Sequence, residues 1–214
     1  MPELEKTKKT TVRRGAKRAS YDRDTIHAII DEALICHIGF VADGVPVVLP
    51  SNHWRDGDNL YFHGSTVSRR LKTMREGAEV CVSITLVDGW VLGRSAMNHS
   101  MNYRSVVVFG RALPVDDRAE KARILRGLID VISPDRWEEI RPPSDKELDQ
   151  TELLYIPLTE ASAKARVGPP GDDEEDYALP VWAGVVPLSQ ATGELVPDSR
   201  LKPGTPVPAY LKKD

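Results

Sequence analysis

The stretch Leu60-Tyr-Phe-His-Gly-Ser-Thr-Val-Ser-Arg-Arg-Leu-Lys72 concentrates hydroxyls and cations where a strand-like run hands over to a helical pattern. A phosphate monoester carries nearly two negative charges, so it needs hydrogen-bond donors and positive charge at one place. Ser65 and Ser68, the cations of Arg69, Arg70 and Lys72, and free backbone amides at a helix start would supply both. His63 and Gly64 form the strand end that delivers them. An exposed basic helix capped by Ser65 is the plainer reading of the same residues.

Other chemistries find less support. His37, His53, His63 and His99 lack the His-x-x-x-His or Cys-x-x-Cys spacings of strong metal sites, so no metal centre is expected. His53 follows Pro50-Ser51-Asn52 and is the histidine expected to face a substrate, with a hydrogen-bonded structural role as the alternative. No Gly-x-Ser-x-Gly elbow points to a serine hydrolase. Gly-x-Gly-x-x-Gly and Gly-x-x-x-x-Gly-Lys-Ser/Thr are also absent, so a nucleotide would have to be held by other means.

The elements that must carry these residues are mostly strands. Asp22–Ala33 has apolar residues at helical spacing behind an aspartate suited to capping. Leu34–Ala42 and Val45–Trp54 read as strands joined by Asp43-Gly44, a strong hairpin signal, and a further turn at Asp56–Asn59 leads into Leu60–His63. A short helix is expected between Ser65 and Gly77, then strands at Ala78–Val87, stopping at Asp88-Gly89, and at Tyr103–Leu113. Arg118–Ile132 is an amphipathic helix, with a shorter one near Trp137 and further strands at Thr151–Leu158 and Ala161–Val167. A last apolar run covers Leu179–Leu188. Hairpin-like connections without strand–helix alternation argue against a dinucleotide fold.

Two hundred and fourteen residues suffice for one well-buried domain. The division expected is a basic arm over 1–20, disordered for want of apolar side chains, a domain over 21–188, and a proline- and glycine-rich tail over 189–214. No apolar stretch reaches membrane-spanning length, and a net charge of −3 gives no general pull toward nucleic acid, so neither membrane nor nucleic acid is an expected partner. Cys36 and Cys81 sit in apolar runs and are expected to be free thiols, which with the absence of a secretory leader favours the cytoplasm.

Tyr103-Arg104-Ser105 offers a second anchor, because a buried flavin needs donors along its polar edge and an arginine near N1/O2 favours the anionic reduced ring. An ordinary surface charge at a strand end is the alternative. Taken in order, Phe62-His-Gly-Ser65, Ser68-Arg69, Asp88–Ser95 and Asn102–Val107 resemble the pyridoxamine 5'-phosphate oxidase-like FMN-binding split barrels, notably the flavin-nucleotide-binding branch with the nitroimidazole-resistance reductases. The similarity spans about Tyr21 to Leu188.

It implies a mainly β, α+β fold with peripheral helices, a six-stranded antiparallel Greek-key split barrel binding FMN. It also implies a phosphate grip at Ser68-Arg69-Arg70, a ring-lining segment at Pro50, Ser51 and Asn52, an edge contact from Arg104 and Ser105, and Trp182 reaching the flavin from the other subunit of a homodimer. The oxidases' two strand cations are missing from Pro46–Ser51, and their substrate-anchoring arginines are missing after Trp182, so pyridoxamine-phosphate oxidase activity itself is not expected. The function expected is an FMN oxidoreductase passing electrons from NADH or NADPH to a nitro compound, quinone or similar acceptor. The alternatives are a non-catalytic flavin carrier or sensor, and a haem-binding barrel with His53 or His99 as axial ligand.

Overall fold

The computed structural model describes residues 3–212. Its first half contains β1 (Ala19–Ser20), α1 (Arg23–Glu32), β2 (Cys36–Ala42), β3 (Val45–Ser51), β4 (Trp54–Asp56), β5 (Asn59–Ser65), α2 (Arg69–Arg75) and β6 (Glu79–Leu92). The second half adds β7 (Ser100–Arg111), β8 (Leu113–Pro114), α3 (Arg118–Ile132), α4 (Asp145–Asp149), β9 (Thr151–Pro157), β10 (Glu160–Arg166) and β11 (Gly184–Pro187). All pairings are antiparallel: one sheet runs β1-β10-β7-β6-β2-β3, with β11 also on β6, and the other runs β4-β5-β9-β8. This is the mainly β, α+β architecture of a split barrel.

Side chains alternate across each strand, and the inward set builds the core. Cys36, Ile38 and Phe40 of β2, Val82 and Ile84 of β6, Val106 and Val108 of β7, and Phe62 of β5 meet Ile26 and Ile30 of α1 and Leu71 and Met74 of α2. A smaller cluster lies on the opposite face of the second sheet, where Trp54, Tyr61 and Leu153 pack against Ile124 and Leu128 of α3. The Trp54 indole donates to the Ile124 carbonyl (3.1 Å), which pins the helix to the sheet.

Local signals set several boundaries. Asp22 and Asp117 accept from the backbone amides of Thr25 and Glu120, and α1 and α3 start directly after them. Asp43 and Gly44 both take positive φ (52° and 76°), the conformation a two-residue hairpin turn requires.

Three expectations are corrected. The run 45–54 breaks in two: β3 ends at Ser51, and Trp54 starts β4 in the other sheet. Asp88-Gly89 is a bulge within β6 rather than its end, because β7 and β11 continue to pair with the strand beyond it. The basic arm is seated: Leu4 lies in the core, the Leu4 amide donates to the Tyr21 carbonyl (2.8 Å), the Tyr21 hydroxyl donates to the Thr10 carbonyl (3.0 Å), and Lys9 pairs with Glu79 and Glu160. The contacts that seat the arm, including buried Leu4 and Thr10 and the pairing of β1 with β10, are made with residues far along the chain and so are not visible in its composition. Cys36 and Cys81 are free, as expected. Among the described residues, no helix is long and apolar enough to cross a membrane.

Candidate functional site

β3 ends the larger sheet, so one side of its backbone is unpaired, and Pro46 and Pro50 remove two of its amide donors. Val45, Val48 and Leu49 are exposed on it, Pro50 and Asn52 are exposed, and Ser51 turns inward and is buried. The Asp43-Gly44 turn at one end reaches α2, where Arg69 donates to Asp43 (2.9 Å) with both side chains largely in solvent, 68% and 87% exposed. Lys72 and Ser65 are exposed as well. Ser68 occupies the cap position of α2, yet its side chain makes no capping bond, so its hydroxyl is free for another acceptor. Ser65, Ser68, Arg69 and Lys72 thus lie at the β5–α2 junction with donors and cations open, and Arg69 reaches the β2–β3 turn.

Arg70 points the other way. It is partly buried, donates to the His63 carbonyl (3.3 Å), and leaves a buried guanidinium nitrogen without a partner. Burial lowers its pKa. Arg70 braces the strand–helix junction from beneath instead of joining the surface cluster. Gly64 leaves room for this packing, since a Cβ there would stand 2.9 Å from the Leu71 side chain.

His53 is buried and its Nε2 is taken up by the Ile30 carbonyl (3.0 Å), tying α1 to the barrel. Burial depresses its pKa, so the ring is held neutral. Its Nε2 is therefore spent on the fold, while its buried Nδ1 has no partner. His99 is exposed, with Nδ1 against the Ser95 carbonyl (2.9 Å). His63 is the histidine the sequence undervalued. Its Nδ1 is buried and unpartnered, its ring stands edge-on to Trp54 at 5.7 Å, and burial, followed by the nearby Arg70 charge, lowers its pKa. Its place in Phe-His-Gly-Ser was visible, but the pocket it faces was not.

Arg104 lies elsewhere in the protomer. It bonds Asp88 (2.7 Å from Nη2) and Glu32, and these two carboxylates raise its pKa, Glu32 first. The reciprocal contact lowers that of Glu32. A cavity of about 580 Å³ opens there between Arg104, Asp88, Glu32 and the Leu188–Gln190 segment. Ser105 donates to the Lys164 carbonyl (3.1 Å). Trp182 is 67% exposed, with its ring over Gly184, where a Cβ would come within 3.0 Å. One protomer thus brings Arg69 to the β2–β3 turn, whereas Arg104 is paired with Asp88 and Glu32 and Trp182 lies over Gly184.

The sequence matches the pyridoxamine 5'-phosphate oxidase family over residues 22–165. The chain belongs to that family. Curated proteins give no match. Among solved structures, the flavocytochrome Anf3 from Azotobacter vinelandii is 42% identical, with a TM-score of 0.91 over 98% of this chain and 97% of that one. The FAD and haem binding protein from Mycobacterium smegmatis is 35% identical, with a TM-score of 0.87 over 90% of this chain and 95% of that one. The putative 5-nitroimidazole antibiotic resistance protein from Bacteroides thetaiotaomicron shares the fold at 23% identity and a TM-score of 0.58, over 69% of this chain and 86% of that one.

Proposed function

We propose that the protein is a dimeric redox protein that binds a flavin and a haem. The observation that carries this reading is that the two structures matching nine-tenths or more of the chain, at 42% and 35% identity, are a flavocytochrome and an FAD and haem binding protein. The flavin is FAD in preference to the FMN expected from the oxidases, because the second of these is named for FAD. When bound, a flavin supplies hydride or single-electron transfer at its ring. The chain's own part is to hold and tune it. Arg69, Lys72, Ser65 and Ser68 fit a flavin's phosphate, because they stand together at the β5–α2 junction and the Ser68 hydroxyl is unspent. The β3 backbone edge, over Val48 to Asn52, supplies donors and an apolar floor for the ring.

A homodimer accounts for the surface apolar residues. Met101, Trp90 and Val186 are cross-strand neighbours on β7, β6 and β11, and they stand 38%, 47% and 41% exposed. Such a row, continued toward Trp182 and Val181, suits a second copy. That copy would place Arg104, Ser105 and Trp182 against the first protomer's flavin. NADH or NADPH is the expected donor and a small organic molecule the acceptor, with the donor stacking directly on the flavin.

The test is spectroscopic. Purified protein should show flavin bands together with a Soret band, and mixing with a reduced nicotinamide should bleach the flavin. Protein that binds flavin but is never reduced would make it a carrier or sensor. Colourless protein with no affinity for either group would end this reading.

A further inference from the structure

We infer that His63 is an axial ligand to the haem iron, in a cleft between β5 and α3. This rests on the proposed haem content and goes beyond it by assigning the site. The cleft has a volume of about 280 Å³, and its walls are Leu125, Leu128 and Ile129 of α3 with Trp137 and Ile140 beyond the helix, His63 facing them from the strand. Ile132, one helical turn past Leu128, is 67% exposed and continues the apolar wall outward. A macrocycle needs such walls, and this volume takes one side of it, leaving the rest to project past the cleft. Arg141 and Glu147 both lie in the lining, paired with each other (2.7 Å), so a haem carboxylate would compete with Glu147 for the guanidinium.

The other histidines are excluded on geometry. The chain has five. His27 pairs with Asp58 (3.0 Å), and the Nε2 of His53 is held by Ile30. His37 is exposed on β2, and His99 is exposed and tethered to Ser95. Among the described residues, the buried Nδ1 atoms of His53 and His63 both lack a hydrogen-bond partner, but His53 is tied to Ile30 through its other ring nitrogen, whereas His63 lines the apolar cleft with no hydrogen bond on its ring. With no hydrogen bond on either ring nitrogen, His63 keeps a nitrogen lone pair that a metal could take. No group of three or more His, Cys, Asp or Glu among the described residues is arranged to hold a metal, but haem iron needs a single protein ligand because the macrocycle provides four.

The experiment uses full-length protein reconstituted with haemin and flavin, reading haem content by the pyridine haemochromogen assay, the Soret band, the electron paramagnetic resonance signal and flavin content. His63→Ala should lose at least ten-fold in haem affinity or lose the histidine-ligated signal, regaining a ligated spectrum when imidazole is added, with flavin content unchanged. His63→Gln should behave alike with less disturbance of packing. Ile129→Trp, which fills the cleft without touching the ring, should also lower haem uptake, while His99→Ala should keep the wild-type spectrum. Wild-type haem content and resonance in both His63 variants would overturn the assignment while leaving the proposed function intact. Wild-type protein that binds flavin but takes up no haem would overturn the haem part of that function and this assignment with it.

Discussion

Removing the Arg69 guanidinium separates a ligand role from a structural one. Its protein partner is Asp43, and both side chains lie mostly in water (68% and 87% exposed). Exposed pairs of this kind contribute under about 1 kcal/mol to folding, so Arg69→Ala should shift the melting temperature little. Toward a phosphate the same guanidinium makes charge-assisted hydrogen bonds, each worth about 1.5–3 kcal/mol, and every ~1.4 kcal/mol is a factor of ten in affinity. Flavin affinity should therefore fall about 10- to 150-fold at unchanged stability. Asp43→Asn, which keeps a residue that tolerates the positive φ of the turn, should act in the opposite sense, weakening the competitor for Arg69 and removing a negative charge, so flavin binds as tightly as before or more so. Fluorescence titration of the apoprotein with flavin, at two salt concentrations, reads both variants. An Arg69→Ala protein within two-fold of wild type would refute the phosphate assignment, and weaker flavin binding by Asp43→Asn would refute the competition.

His53→Ala should destabilise the fold by about 2–4 kcal/mol, since it removes the bond to Ile30 and leaves a cavity, and chemical denaturation measures the loss. Burial sets the folded pKa of His53 and His63 below the ordinary 6.5, so the unfolded chain binds more protons in the acid range. Apoprotein stability is then full above about pH 6.5 and declines as pH falls toward the folded values; a urea midpoint that rises on acidification through this window would contradict both assignments. Gly89→Ala would put a Cβ 2.8 Å from the Val186 carbonyl, so β11 should detach, with faster proteolysis or hydrogen exchange over 184–187. Trp90→Glu should convert the proposed dimer to monomer in sedimentation velocity, whereas Leu195→Glu, exposed in the tail, should not.

Short-range chemistry was legible in the chain. The Asp43-Gly44 turn and the span of α3, Arg118–Ile132, follow from conformational preference and a capping carboxylate that act within a few residues. The family likeness was legible too, because Phe62–Ser65, Ser68-Arg69 and Asn102–Val107 keep local spacings. What the sequence did not determine depends on partners far along the chain. Asp88-Gly89 reads locally as a turn and becomes a bulge because β7 and β11 pair on either side of it and Arg104 takes the Asp88 carboxylate. Arg69 and Arg70 are adjacent and chemically alike, yet one faces solvent and the other runs beneath the strand, a choice made by the packing of α2 on β5. His53 and His63 likewise differ only in what surrounds them: a helix carbonyl occupies the first, and an apolar cleft built by α3 leaves the second unpaired. Residue type fixes which bonds a side chain can make, and the tertiary structure decides which of them are already spent.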